Sequence, residues 1–168
     1  IGILFDNPSP HYTMKIQAGA YRACRDNGYH LLIENLESTS ADVASQMRGL
    51  LLNTRVDGFV LTPPISESAQ VMDVLEERKI PFVRIAPVNF PGRAPAFAID
   101  DAAAAAEIAE HLWSNGHRRF GLVCGPPYHG ASGTRREGFL RRLRELGLTG
   151  DVAESYGGFQ FDIGIAAG

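Results

Sequence analysis

The chain has 168 residues, with 45% hydrophobic and 21% charged. This is the balance of a globular chain that buries a core, long enough for one domain or for one domain and part of a second. Its net charge of −3 offers no electrostatic footprint for nucleic acid; were the chain to regulate DNA, another segment would have to touch it. No apolar run approaches the ~20 residues that cross a bilayer, and no signal peptide opens the chain.

Short apolar runs alternate with longer amphipathic segments. Residues 1–5 read as a buried strand and residues 13–27 as a helix, with Ile16, Ala20, Ala23 and Cys24 at helical spacing. Gly28 ends that helix as a glycine just past a C-terminus does. A strand over 29–34 follows, then a helix over 40–53 with Val43, Met47, Leu50 and Leu51 on one face. Strand 57–62, helix 67–78 and strand 81–85 come next, Pro81 standing where a missing N–H is tolerated. Strand 96–100 leads into a helix over 101–114, broken at Asn115-Gly116. Strand 118–124, helix 133–146 and strand 152–156 complete the pattern, and a further helix starts near Ile163.

This alternation with short connections implies a parallel sheet covered on both faces by helices. Right-handed crossovers then put ligands beyond the carboxyl ends of the strands. The two longest loops there, 6–12 and 125–132, are rich in Pro, Gly, Ser and His, and function concentrates in such loops. A boundary is expected at Asn115–Arg119, giving a first subdomain over 1–117 and the beginning of a second over 118–168. Two strands and one helix cannot bury a sheet, so the second subdomain reads as incomplete.

The chemistry of common enzymes is missing. Gly125-Pro126-Pro127-Tyr128-His129-Gly130 carries glycines, but its prolines remove the N–H groups that would cradle a phosphate. Ser132 lies near His129, yet Gly130-Ala131-Ser132-Gly133 is one residue short of a nucleophile elbow. No histidine pair has zinc spacing, and Cys24 and Cys124 read as small buried hydrophobes. Asp100 and Asp101 are adjacent, a poor acid/base pair; Asp101 suits a helix N-cap, leaving Asp100 toward the cleft. The residues therefore point to a binding module with no catalytic residue, cofactor or metal.

A set of motifs carries a family resemblance: Ile1-Gly2, Ala20 with Gly28-Tyr29, Val56-Asp57-Gly58-Phe59-Val60, Ile80-Pro81, and Asp100 with Glu110-His111-Leu112. Gly116-His117-Arg118-Arg119, Arg135 with Gly138-Phe139, and Gly158-Phe159 with Gly164 continue it. In this order and spacing the chain resembles, over essentially its whole length, the effector-binding core of lactose/galactose-repressor (LacI/GalR) transcriptional regulators. The resemblance implies an α/β, periplasmic-binding-protein-like fold: two doubly wound parallel-sheet subdomains, the second incomplete here, with the ligand in the cleft between them. It also implies a helix-turn-helix headpiece ahead of Ile1, roughly a third of the sensor core beyond Gly168, a homodimer, operator DNA as partner, and a cytoplasmic location without membrane contact. A periplasmic sugar-binding protein of a transporter shares the fold and is the second reading; the motifs around Gly116–Arg119 and Arg135 are typical of the regulators.

The same resemblance marks Arg135 as the ligand-contacting arginine, whose fork suits paired hydroxyls or a carboxylate; the alternative is one more solvated arginine beside Arg136, Arg141, Arg142 and Arg144. Phe159 matches an aromatic that stacks on the ligand, or else a core residue. Tyr12, Thr62, Asp100 and His129 are further candidates at the cleft rim, with Ser9 a weaker one; simple turn chemistry is the alternative for Thr62, and a structural carboxylate for Asp100. The usual Asn-Pro-Phe/Tyr after the first strand is replaced by Pro10-His11-Tyr12, and the usual Asp-Arg after the fourth by Ala86-Pro87. A hexose, pentose, oligosaccharide or sugar acid fits these residues equally. The face with Val43, Met47 and Leu50 and strand 29–34 resembles the family's dimer surface, with ordinary core as the alternative.

Overall fold

The computed structural model describes residues 1–7 and 9–167. Residues Ile1–Ala98 and Ile99–Gly168 form two compact units. In the first unit β1 (Gly2–Phe5), β2 (Leu32–Asn35), β3 (Phe59–Leu61), β4 (Phe82–Ile85) and β5 (Ala96–Phe97) make one sheet in the order β2-β1-β3-β4-β5. Every pairing is parallel, with Ile3 opposite Ile33 and Val60, and Phe59 opposite Phe82. Helices α1 (Pro10–Asp26), α2 (Val43–Asn53) and α3 (Ala69–Glu77) connect the strands. Such an order reverses direction between β1 and β3, the place where sheets of this kind hold ligands beyond their carboxyl ends.

The core of this unit joins Leu4, Phe59, Leu61 and Phe82 from the sheet to Val43, Met47, Val71, Met72 and Leu75 from α2 and α3. Val43 and Met47 are thus fully buried within the unit, and Leu50 packs against the same cluster. For Val43, Met47 and Leu50 the alternative of ordinary core holds, whereas Tyr29 and Ile33 of the same face are about half exposed.

The second unit holds α4 (Asp101–Ser114), β6 (Gly121–Cys124), α5 (Gly130–Glu145), β7 (Ala153–Tyr156) and α6 (Phe161–Ala167). β6 and β7 pair in parallel as a separate two-stranded sheet. Ala105, Ala109, Phe120, Phe139, Leu140 and Leu143 form its core, with Phe120 edge-on to Phe139 and stacked near Trp113. The units divide between Ala98 and Ile99, not at Asn115–Arg119 as the helix break suggested. The reason is packing: α4 lies against α5, and its alanines belong to the second core.

Gly138 permits that packing. A Cβ there would stand 2.7 Å from the Ala102 Cα and closer still to the Ala102 carbonyl oxygen. Helix backbones approach this closely only where one side chain is missing.

Element ends also moved from the sequence expectation. Helix α1 starts at Pro10, with Ser9 as its N-cap accepting from the Tyr12 amide at 3.4 Å. Proline at the first helical position is preorganised for this start. Helix α5 starts at Gly130 with His129 at the N-cap position. Both long loops are therefore shorter than the sequence implied, and His11 and Tyr12 sit in a first helical turn.

Arg84 on β4 was not singled out from sequence. It is 1% exposed, and its guanidinium donates to the Ser66, Phe90 and Asn89 carbonyls at 2.8, 2.8 and 2.7 Å. Glu67, 3.9 Å away, accepts from the Val88 and Asn89 amides. Burial pushes the Arg84 guanidinium down from its usual value, and Glu67 opposes that shift. Together they clamp the segment after β4, where Ala86 and Phe90 hold positive φ of 45° and 55°. Non-glycine residues in that region persist only where the surroundings impose it.

Two stability outcomes follow. Gly138→Ala is expected to lower stability by about 1–3 kcal/mol through overpacking, whereas Gly133→Ala in the same helix, with nothing within 4 Å of its Cβ position, gains up to about 1 kcal/mol. Arg84→Met strands the buried Ser66 carbonyl, two part-buried carbonyls and the Glu67 carboxylate, and is expected to cost about 3 kcal/mol. Urea unfolding midpoints of the three variants check both.

Candidate functional site

The second unit contains a recess of about 570 Å3 at the carboxyl end of β6. Strand β6 brings Cys124 and Gly125 to its floor, α4 brings Asp101, α5 brings Ser132 and Arg135, and the segment after β7 brings Phe159. From there it runs along β6 between Leu122, Val123, Ile108 and Leu112, so one end is polar and the rest apolar. Parallel α/β sheets place ligands at this end of their strands. The first unit has a groove of about 620 Å3, but it is lined by Ile1, Asp57, Gly58, Ile80 and Pro81 at the amino ends of the strands. That is the wrong end for a ligand site of this architecture.

Arg135 lies in the recess with its side chain 53% exposed, and its Nε donates to the Asp101 carboxylate at 2.6 Å. Among the described residues its two terminal nitrogens have no protein acceptor within hydrogen-bonding distance. A guanidinium fixed through Nε keeps its terminal edge free for paired acceptors. The Asp101 side chain is only 9% exposed.

The aspartate roles reverse the sequence expectation. Asp100, not Asp101, is the N-cap of α4, accepting from the Ala103 amide at 2.9 Å with φ −77° and ψ 84°. Asp101 then falls in the first turn, and helical side chains lean toward the amino end. That lean carries its carboxylate to Arg135. Asp100 is exposed, and the recess is lined by its neighbours Ile99 and Asp101.

Phe159 forms a wall of the recess and meets the His129 ring edge-on, centroids 4.9 Å apart. His129 is buried, its Nδ1 3.5 Å from the Ser132 hydroxyl. It supports Phe159 from behind. Gly125 completes this corner: a Cβ there would stand 3.1 Å from the Phe159 ring and collide with the Ser132 hydroxyl. Arg136, also on the lining, donates to Glu154 at 2.8 Å through Nη2, and holds the Glu154 carboxyl below the usual carboxylate range. Burial pushes the Cys124 thiol up, with the Glu154 charge adding to it. A thiol so placed is a poor nucleophile. Both cysteines are buried and free.

The remaining candidates belong to the first unit. Thr62 is 0% exposed, and its hydroxyl donates to the Leu4 carbonyl at 2.8 Å. Its proton therefore ties β3 to β1 at the carboxyl ends of those strands. Tyr12 is half-buried in the first turn of α1. Asp6, which sequence reasoning passed over, accepts from the Ser38 amide at 2.8 Å and from the Ser38 hydroxyl, joining the loops after β1 and β2. The recess thus brings together Arg135 and Phe159, with His129 packed against Phe159 rather than on the lining, and adds Asp101 and Ser132. The doublet Asp100-Asp101 at a helix start was the available signal for Asp101: one of the two caps, and the other is left to pair.

No helix among the described residues is long and apolar enough to cross a membrane, and no group of three potential metal ligands occurs among them. Residues 1–155 match the family model described as periplasmic binding proteins and sugar binding domain of LacI family. The HTH-type transcriptional repressor PurR of Yersinia enterocolitica is 28% identical over 152 residues, which span 89% of this chain and 44% of that protein. The ribose operon repressor of Escherichia coli is 27% identical over 173 residues, or 99% of this chain and 51% of the repressor. The chain thus spans about half the length of these curated relatives. The solved complex of the transcriptional regulator CelR with cellobiose superimposes with a TM-score of 0.84 at 23% identity, covering 99% of this chain and 52% of that one; it shares the fold. With a matching family model over most of its length and the periplasmic-binding-protein fold in its sheets, this chain belongs to the family of periplasmic binding proteins and LacI-type sugar-binding domains.

Proposed function

We propose that the chain is the ligand-sensing core of a cytoplasmic LacI-type transcriptional regulator and has no catalytic activity of its own. In this reading a small sugar-like effector sits on the polar end of the recess. The Arg135 terminal nitrogens hold a pair of ring hydroxyls, and Phe159 covers an apolar C–H face. The observation that carries the reading is Arg135 itself: an oriented guanidinium with a free terminal edge beside an aromatic wall, at the carboxyl end of a parallel strand. Tyr12 and Asp100 are further candidate contacts. Thr62 and His129 are assigned supporting roles, since one is bound to Leu4 and the other backs Phe159.

The regulatory part of the proposal is thermodynamic. The effector binds one arrangement of a homodimer better than another. An operator-binding headpiece outside these residues prefers one of those arrangements. Coupling of this kind is typically about 1–3 kcal/mol, and a ligand with equal affinity for both states shifts nothing. The curated relatives with the broadest matches are regulators, which favours this reading over a transport protein.

In the full-length protein, Arg135→Ala is expected to weaken binding of the recognised sugar by about 10-fold or more, the worth of hydrogen bonds to a charged donor. Arg135→Lys should recover only part of it, because an ammonium lacks the fork. Calorimetric titration with D-ribose, cellobiose and D-glucose measures this, and operator-binding titrations in the same sugars measure the coupling. Unchanged affinity in Arg135→Ala argues against the site; a sugar that binds and leaves operator affinity unaltered argues against the allosteric role.

A further inference from the structure

Each guanidinium that lines the recess is already matched by a carboxylate. Arg135 is held by Asp101 at 2.6 Å, and Arg136 by Glu154. The four groups sum to zero charge. Asp101 is the decisive member, because it is nearly buried while Arg135 is half exposed. Its charge is therefore screened by water less than that of its partner. A phosphate or carboxylate on Arg135 would share that guanidinium with Asp101 and leave the recess with excess negative charge. Like charges in a partly dehydrated site repel strongly. A neutral hydroxylated ligand meets no such penalty, since hydroxyl oxygens accept from the terminal nitrogens without adding charge. The amino end of α5, which Ser132 brings to the recess, contributes only a partial positive charge and does not offset a full anion.

From this matching, and resting on the proposed effector site, we propose that Asp101 is a positioning and specificity-determining residue that sets the recess to neutral charge and selects neutral sugars over their phosphorylated or carboxylated counterparts. The sequence left a sugar acid as open as a hexose; the Asp101–Arg135 pair separates them. Asp101 does this in two ways. It turns the guanidinium so that its terminal edge faces the ligand, and it discriminates against a second anion on that guanidinium.

Asp101→Asn keeps an oxygen acceptor for the Arg135 Nε and removes the charge; Asp101→Glu keeps the charge. Full-length wild type and both variants are titrated calorimetrically with three matched pairs: D-ribose and ribose 5-phosphate, D-fructose and fructose 1-phosphate, D-glucose and gluconate. In wild type, at least one neutral sugar is expected to bind, and at least 10-fold tighter than its anionic partner. In Asp101→Asn the ratio should move at least 10-fold toward the anion, while Asp101→Glu retains the wild-type preference. A wild type that binds the anionic member as tightly or tighter overturns the inference. So does an Asp101→Asn variant of unchanged urea midpoint that weakens both members equally, since that is a purely structural effect. If Asp101→Asn fails to fold, the wild-type ratio and Asp101→Glu still decide. Binding of no sugar, neutral or anionic, brings down the effector site itself and the inference with it.

Discussion

The close approach of α4 and α5 at Gly138 is the constraint from which the site follows. With no Cβ at Gly138, the α5 backbone comes against Ala102 near the amino end of α4. Arg135 lies three residues before Gly138 and four before buried Phe139, so the three share one face of α5. Asp101 is the residue before Ala102. Both side chains lean toward the amino ends of their helices, and there they meet at 2.6 Å. A side chain at position 138 would push the helices apart at Ala102, the residue next to that pair. Packing and recognition are therefore one geometric fact in the second unit.

Ion pairs sort four of the five arginines of α5. Arg135 faces the recess, while Arg142 is taken by Glu110 and Glu145, Arg136 by Glu154, and Arg141 lies 3.8 Å from Glu145. Exposed pairs of this kind contribute little to stability. Their consequence is to leave Arg135 as the guanidinium whose partner is nearly buried and whose terminal edge borders the recess.

The first unit secures its loops by a different device, polar side chains turned onto backbone. Thr62 binds the Leu4 carbonyl, Asp6 binds the Ser38 amide, and Arg84 with Glu67 grips the segment after β4. Each sits at or beyond the carboxyl end of its strand, where the crevice of such a sheet opens. Loops held this way keep their shape without a ligand, which lowers the entropic cost of binding one. The positive φ at Ala86 and Phe90 marks how far the clamp overrides local preference.

Much of this was legible in the chain. Alternating apolar runs and helical periodicity set the strand and helix order, the parallel sheet and the start of a second sheet near Arg118, because those features depend on neighbours within a few residues. Helix-cap chemistry was legible only in part: Ser9-Pro10 marked a start that the apolar pattern placed three residues late, and the Asp100-Asp101 doublet did not say which member caps. Three decisions belonged to tertiary structure alone. Asp101 finds Arg135 across 34 residues, α4 joins the second unit because Gly138 admits Ala102, and Val43 and Met47 prove to be core. Local sequence specifies which face of an element is apolar; which surface that face meets depends on how distant elements cross, and that is fixed only when the whole unit packs.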